Sequence, residues 1–470
     1  MLKVMDNHAQ DAHLLRTIWT ALDGPADRVH SVDFIGANEP LPSAYAVSAL
    51  ASAGIGASLL ALAELHALRH DQPNRKVRVD RRYANAAFRS ERYLTPLGWE
   101  LPEPWDAIAG DYPSRDGAFI RLHTNYAHHR RAALEVLGIA DADATRDAVR
   151  SAVLGWDGEA LESSVVANGG CAALMRAPSA WADHPQGRAL ATEPLVAVTA
   201  RNARRPSFEA HGAPLAGIRV LDLTRVIAGP ICTRVLAGYG ADVLRIDPPG
   251  FQEVGALLPE TTVGKRCAQL DLHQSADRTV FETLVSRAHV LIHGYRSDAL
   301  QRLDYGPDEL RSLNPDLIDV SHDAYGFSGP WAKRRGYDSL VQMSCGIAWR
   351  GREASGRAKP TPLPAQALDH GTGYLLAAAT CRALSRLLSV GQASSVRLSL
   401  ARTAKLLTDQ GDRGRMDTHD FSREDALAWL EPGESAFGPL RRVRCPMGID
   451  GVEPRWTKPA GPLGRDAPAW

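Results

Sequence analysis

Asp369 stands in QALDHGTGY, at the head of an apolar run that follows a proline-rich stretch at 360–364. A carboxylate in the first turn of a helix feels the positive end of the helix dipole, which favours its ionised form. Gly371 and Gly373 leave backbone amides unshielded beside it, where they could meet a substrate oxygen or an oxyanion. Local sequence alone favours a plainer role for Asp369, that of a helix N-cap. A second candidate is Gly336-Tyr337-Asp338, which opens the helical run YDSLVQMSCGIA. Here Asp338 reads as a cap and Tyr337 as either core or site. A third is LDLTRVIAGP at 221–230, a strand that turns into a helix start. Such a start offers free amides to a phosphate, although the segment is not G-x-G-x-x-G and an ordinary βα loop explains it locally. His123, His128 and His129 flank a surface-looking helix start beside Arg130 and Arg131, and no carboxylate or cysteine has ligand spacing to them. No metal site is expected. G-x-S-x-G, P-loop and H-E-x-x-H patterns are absent, which closes the usual hydrolase, NTPase and zinc-protease routes.

The elements that must position these residues follow from periodicity. Strands are expected at 218–223, 242–246, 267–272, 289–292 and 317–321, with helices at 231–240, 275–287, 299–303 and 307–313 between them. Pro307 and Asn314-Pro315 mark the start and stop of the last. The alternation predicts an α/β fold with an open, mostly parallel sheet. Residues 201–214, RNARRPSFEAHGAP, read as a linker. Before it lies a smaller α+β region, with a strand at 117–122 and a helix at 127–137. An internal repeat joins the halves. SAGIGASLLALAELHALR at 52–69 aligns without a gap on DHGTGYLLAAATCRALSR at 369–386, and each is followed by a strand-like segment, KVRVDRRYA or SVRLSLARTA. Ser52 occupies the position of Asp369, so only one copy carries the carboxylate. The expected organisation is a degenerate repeat at 1–105, a small α+β domain at 106–200, the linker at 201–214, and a large domain at 215–470.

Composition sets the class. The 470 residues carry 54 Lys+Arg against 54 Asp+Glu, so a nucleic-acid partner is not expected. With 44% hydrophobic and 23% charged residues the chain is ordinary globular material. Its six cysteines include no C-x-x-C pair, which argues against a disulfide framework or structural zinc. Residues 1–13 show no basic-then-apolar leader, and the apolar stretch at 46–68 is interrupted by Glu64 and His66. It reads as a buried helix, so no membrane partner and a cytoplasmic location are expected.

Taken together these segments resemble the family III CoA-transferases, the group that includes formyl-CoA transferase, carnitine CoA-transferase and the α-methylacyl-CoA racemases. The matching stretches come in family order: PLAGIRVLDLTRVIAGPICTRVLAGYGADVLRID at 214–247, GKRCAQLDL at 264–272 and AHVLIHGYRSDALQRLDYG at 288–306. LNPDLIDVSHDAYGFSGP at 313–330, GYDSLVQ at 336–342 and ALDHGTGYLLA at 367–377 follow. A further likeness, to the family's closing segment, spans 437–464. The resemblance implies a Rossmann-like large domain, a smaller α+β domain and a homodimer of interlocked rings. It places the nucleophilic aspartate on Asp369 and a residue near the acyl group on Tyr337. CoA contacts fall on Arg225, Val226, Ile227, Ala228, Asp247, Pro248, Leu270, Gly294, Tyr295, Arg302, Leu303 and Arg335. Gly294 stands where relatives have Asn. The order departs from the family, whose small domain follows the large one; here the small domain precedes it, so the chain reads as a fused, rearranged pair.

The activity implied is transfer of CoA from an acyl-CoA to a small carboxylic acid, with CoA a substrate and no permanently bound cofactor. It would run through an aspartyl mixed anhydride and an enzyme-CoA thioester. Two alternatives stay open: a racemase, in which His370 could serve as a base although one helical position turns it roughly 100° from Asp369, and a CoA-binding protein without turnover. Arg225, Arg335 and Tyr337 hint at an acyl group bearing a further carboxylate.

Overall fold

The computed structural model describes residues 7–37, 41–206, 212–413, 416 and 420–470. Its centre is a seven-stranded sheet in the order Arg266–Gln269, Asp242–Asp247, Arg219–Leu223, Val290–His293, Ile318–Asp323, Gln392–Ser399 and Ala197–Asn202. All neighbours are parallel except the last, which pairs antiparallel to Gln392–Ser399. The parallel strands are apolar on both faces because helices cover both. Val220, Val243, Val290, Ile292 and Val320 point into one core, and Leu221, Leu244, Ile246 and Leu291 into another on the opposite face. The expected strands and helices of this region are present, with 299–303 reduced to the single turn Gln301–Leu303.

The repeat is a βαβ unit used twice. Ile318–Asp323, the 24-residue helix Ala367–Val390 and Gln392–Ser399 form one copy. Val32–Ile35, the 24-residue helix Val47–His70 and Val77–Asp80 form the other, with its two strands likewise parallel. Where the second copy carries 324–366, the first has only 36–46, so nothing in it corresponds to Tyr337 and Asp338. The two long helices run in the same direction against each other. A Cβ on Gly371 would lie 3.2 Å from Leu50 Cδ2, Gly54 faces Tyr374 and Leu375, and Arg382 Nη1 bonds Glu64 Oε2 at 2.7 Å. Val47–His70 is apolar and long enough to cross a membrane, yet 94% of its most apolar window is buried inside the molecule.

The small domain joins strands Gly110–Pro113, Phe119–Leu122 and Ala172–Leu174 in an antiparallel sheet under helices Ala127–Leu137, Arg146–Val153 and Gly158–Ala167. Arg334 of the large domain grips it, bonding Glu162 Oε1 at 2.9 Å and the Ala172 carbonyl at 2.8 Å. The boundary to the linker differs from expectation. Ala197–Asn202 is an edge strand of the large sheet, so the chain has joined the large domain before residue 201; residues 207–211 of the expected linker lie outside those described. At the end of the chain, Leu440–Val443 pairs with Leu430–Gly433 and with Thr95–Pro96, tying the closing segment to the first half. The six cysteines are buried and unpaired.

Candidate active site

The chain leaves strand Arg219–Leu223 toward Asp242–Asp247 on one side and later returns with Val290–His293 on the other. This reversal opens a crevice at the carboxyl ends of the strands, the usual ligand position in an open α/β sheet. The loop entering it is firmly anchored. Asp222, fully buried, receives Lys265 Nζ at 3.0 Å, Thr233 Oγ1 at 2.6 Å, and both the amide and hydroxyl of Thr224 at 2.9 and 2.6 Å. Two residues on, Val226 takes φ +61°, a left-handed conformation that a β-branched side chain avoids. Strain of this kind costs about 1–3 kcal/mol and persists only where the surroundings impose it. Here Glu253 imposes it, accepting the Val226 amide at 3.0 Å while held by Arg245 Nη2 at 3.1 Å and by the Tyr126 hydroxyl of the small domain at 2.7 Å.

A cavity of about 320 Å³ fills this crevice and is lined by Arg225, Val226, Ala228, Gly294, Tyr295, Arg335, Tyr337 and Asp369. Sharing Arg225, Tyr295 and Ala299, a second space of about 220 Å³ extends it along Asp247, Pro248, Leu270 and Leu303. The guanidinium of Arg225 is clamped over Phe251 at 3.8 Å and Tyr295 at 5.0 Å. The residues expected at the crevice thus converge on one trough, with two exceptions, Ile227, which lines neither space, and Arg302. Arg302 pairs with Asp298 at 2.7 Å, its side chain 65% exposed, and lines neither space. Gly294 has a local reason. A Cβ there would lie 2.5 Å from Nε2 of His322, which occupies the room a side chain would need.

Asp369 is the third residue of its helix and 8% exposed. It is not the cap: Gln366 holds that position without a side-chain hydrogen bond. The cap comes from elsewhere in the chain. Asp338 Oδ2 accepts the amides of Leu368 at 2.8 Å and Asp369 at 3.1 Å, and Gln342 steadies its other oxygen. Burial, then the like charges of Asp338 and Glu91, hold the Asp369 carboxyl well above the ordinary carboxylate range. The favourable dipole expected from the sequence is therefore outweighed by desolvation and neighbouring carboxylates.

Three sequence expectations change. Gly371 and Gly373 lie inside the helix, where their amides close intrahelical bonds, so they cannot donate to an oxyanion. Their role is close approach: a Cβ on Gly373 would meet the Ala228 carbonyl at 2.6 Å and Ile231 Cβ at 2.8 Å. Donors are available instead at the start of helix Ala228–Gly238, where the amides of Ile227 and Ala228 precede its first bond, Ile231 to Ile227. His370 is fully buried and does not line the cavity at Asp369, with Nε2 2.9 Å from Glu91 and its ring stacked on Phe88, so it is not placed to act as a racemase base. His128 is exposed as expected, but the other two of the three histidines are not surface features: His123 and His129 are 6% and 2% exposed. His123 stacks on Tyr337 at 3.8 Å, and burial drives both imidazoles down to about 3, so they stand neutral at the site. Among the described residues no group of side chains could hold a metal.

Asp369 also borders a second cavity of about 320 Å³, lined by Leu101, Pro102, Trp105, Ile227, Val254 and Leu257 and by no residue of the sheet. Four residues, Tyr126, Val226, Tyr337 and Asp369, line both cavities and form the waist between them. The first half of the chain supplies Glu91, Trp105, Tyr126 and His129 to this arrangement. The sequence singled out only the histidine, as part of a cluster, because each of the others reaches the site across a long stretch of chain.

Residues 215–413 match the family model for CoA-transferase family III. Over 184 residues the chain is 33% identical to a probable fatty acyl-CoA transferase of Mycobacterium tuberculosis, covering 36% of this chain and 46% of that one. It is 28% identical over 236 residues to a formyl-CoA:oxalate CoA-transferase of Escherichia coli, covering 46% and 53%. A crystal structure of a hypothetical protein from Mycobacterium tuberculosis matches at 32% identity with a TM-score of 0.37, over 41% of this chain and 55% of that one. The chain thus spans about a third to a half of the curated relatives it matches.

Proposed function

Residues 215–413 being a CoA-transferase family III segment, we propose that the chain moves CoA from an acyl-CoA to a carboxylic acid, with Asp369 as the nucleophile. One observation carries this reading: the Asp369 carboxylate sits at the waist between a cation-lined trough at the strand ends and a separate cavity opposite. CoA lies in the trough and the acid in the cavity opposite. The ionised carboxylate attacks the thioester carbonyl, the C–S bond breaks, and CoA leaves as its thiolate with an aspartyl mixed anhydride behind it. The thiolate then attacks the Asp369 carbonyl, expelling the donor acid and leaving an enzyme-CoA thioester. An acceptor carboxylate attacks that thioester and displaces the thiolate, which in turn attacks the acyl carbonyl, so acyl-CoA departs and Asp369 is freed. No net proton or electron is consumed.

The amides of Ile227 and Ala228 are the donors for each oxyanion, since Asp338 already takes those of Leu368 and Asp369. Such donors are worth a few kcal/mol apiece in a dry site. The stacked rings of His123 and Tyr337, and the nearby Tyr126, close the waist against water that would hydrolyse the anhydride. The test is mass spectrometry of the intact protein mixed with acyl-CoAs and quenched with hydroxylamine. Hydroxamate at Asp369, absent in Asp369→Ala, supports the transferase; α-deuterium exchange without an adduct would indicate a racemase, and CoA binding without either a non-catalytic protein.

A further inference from the structure

The arginines that hint at a second carboxylate on the acyl group belong to the wrong cavity. Arg225 and Arg335 line the trough, together with Arg296, and do not face the space beyond the waist. That space is bounded by Leu101, Pro102, Trp105, Ile227, Val254 and Leu257. Its single cationic side chain, Arg92, is 47% exposed and lies 3.8 Å from Glu91. Its imidazole, His123, is held neutral by burial. A branch of about 220 Å³ continues past Trp105 and His123 toward Leu122, Pro362 and Leu363; Arg92 borders it too, and its other cation, Arg121, is already bound to both oxygens of Asp111 at 2.6 Å. Three carboxyl groups, Glu91, Asp338 and Asp369, stand on the wall of the main space. A second carboxylate on a bound acid would therefore lose its water, find as counter-ion only Arg92, half exposed and beside Glu91, and face like charge, which together oppose binding.

We propose that the acid handled at Asp369 is an apolar monocarboxylic acid, alkyl or aryl, whose tail fills the cavity between Trp105 and Leu257. This rests on the transferase reading and names its substrate class. A volume of about 320 Å³ holds roughly ten non-hydrogen atoms if each takes about the 30 Å³ of a water molecule. That is the size of octanoate or phenylacetate. The branch beyond Trp105 leaves room for a longer tail. Trp105 belongs to the segment between the first copy of the repeat and the small domain, so this specificity comes from the half of the chain that lacks the nucleophile.

The test compares octanoyl-CoA and phenylacetyl-CoA with succinyl-CoA and oxalyl-CoA as donors, read as the rate of hydroxylamine-trapped adduct at Asp369. Calorimetric titration with free octanoate and succinate runs alongside. The apolar donors should react at least tenfold faster. Trp105 is half exposed, so Trp105→Ala should keep the fold, raise KM for octanoyl-CoA about tenfold and leave CoA affinity unchanged. Equal or faster reaction of succinyl-CoA, or an unaltered KM in Trp105→Ala, overturns the proposal. If no donor acylates Asp369 while octanoate binds the wild type and not Trp105→Ala, the transferase reading fails and the pocket assignment stands. If octanoate does not bind at all, the pocket assignment fails.

Discussion

At the scale of single residues the site turns on the proton of Asp369. Its carboxyl is held above the ordinary range, so it is protonated and unreactive at low pH, and its nucleophilic fraction grows as pH rises through the raised value. The acid limb of kcat/KM should accordingly lie well above the pH at which an ordinary carboxylate ionises, because that limb reports the free enzyme. Glu91→Gln removes one of the like charges while keeping a hydrogen-bonding partner for His370. It should move the limb to lower pH; a profile identical to wild type would remove Glu91 from the electrostatics of the site. Asp369→Asn should cost turnover on the order of 10⁴-fold or more, the scale of losing a covalent nucleophile, with CoA binding intact by titration. Asp369 and Tyr337 could be found in the sequence because each sits in a short contiguous motif. Glu91, Tyr126 and Glu253 could not, since a lone Glu or Tyr carries no local signal until the fold brings it to Val226 or Asp369.

Between elements, Asp369, the proposed nucleophile, is positioned by how closely the helices around Ala367–Val390 can approach it. Gly373 lets Ala367–Val390 lie against Ala228–Gly238, and the contact that an added methyl would make is with a backbone carbonyl, which cannot rotate aside. Helix propensity alone would make Gly373→Ala stabilising by about 1 kcal/mol. Overpacking of about 1–3 kcal/mol outweighs it, so the variant should be less stable in urea denaturation. Gly371→Ala meets only the methyl groups of Thr403 and Leu50, at 3.1 and 3.2 Å, and should cost less; equal costs would deny the carbonyl contact its part. The same division between local and distant causes explains which elements were readable. The parallel strands announce themselves as runs of buried Val, Ile and Leu, and their expected bounds differ from the observed ones by a few residues. Ala197–Asn202, which straddles the expected boundary between small domain and linker, carries no local signal because it is an edge strand of mostly exposed residues and pairs with a distant partner. The helix carrying Asp369 was expected, but its cap was assigned to the wrong aspartate, since Asp338 caps it from another helix.

In the whole molecule, the two halves are unequal copies of one plan that divide the labour of one site. The first supplies Glu91, Trp105, Tyr126 and His129, and the second supplies Asp369 and the sheet whose strand ends form the trough. The long helix of the first copy, with Ser52 in place of the aspartate, is buried against its counterpart and serves as a wall. The resemblance implies interlocked subunits, and the sequence leaves open whether each site forms within one chain or across two. Both contributions to the cavities at Asp369 come here from one chain, and we infer that a single chain suffices for activity. Complementation distinguishes the two. Asp369→Ala disables the second half's contribution, and Tyr126→Ala removes from the first half the hydroxyl that holds Glu253 beneath the strained Val226 turn. If each site forms within one chain, co-expressing the two variants yields no more activity than the average of the two made alone. If sites form across interlocked chains, random pairing leaves about a quarter of sites with both halves intact, and a corresponding share of wild-type activity returns. Specific activity should also stay constant as the protein is diluted, since no association completes the site.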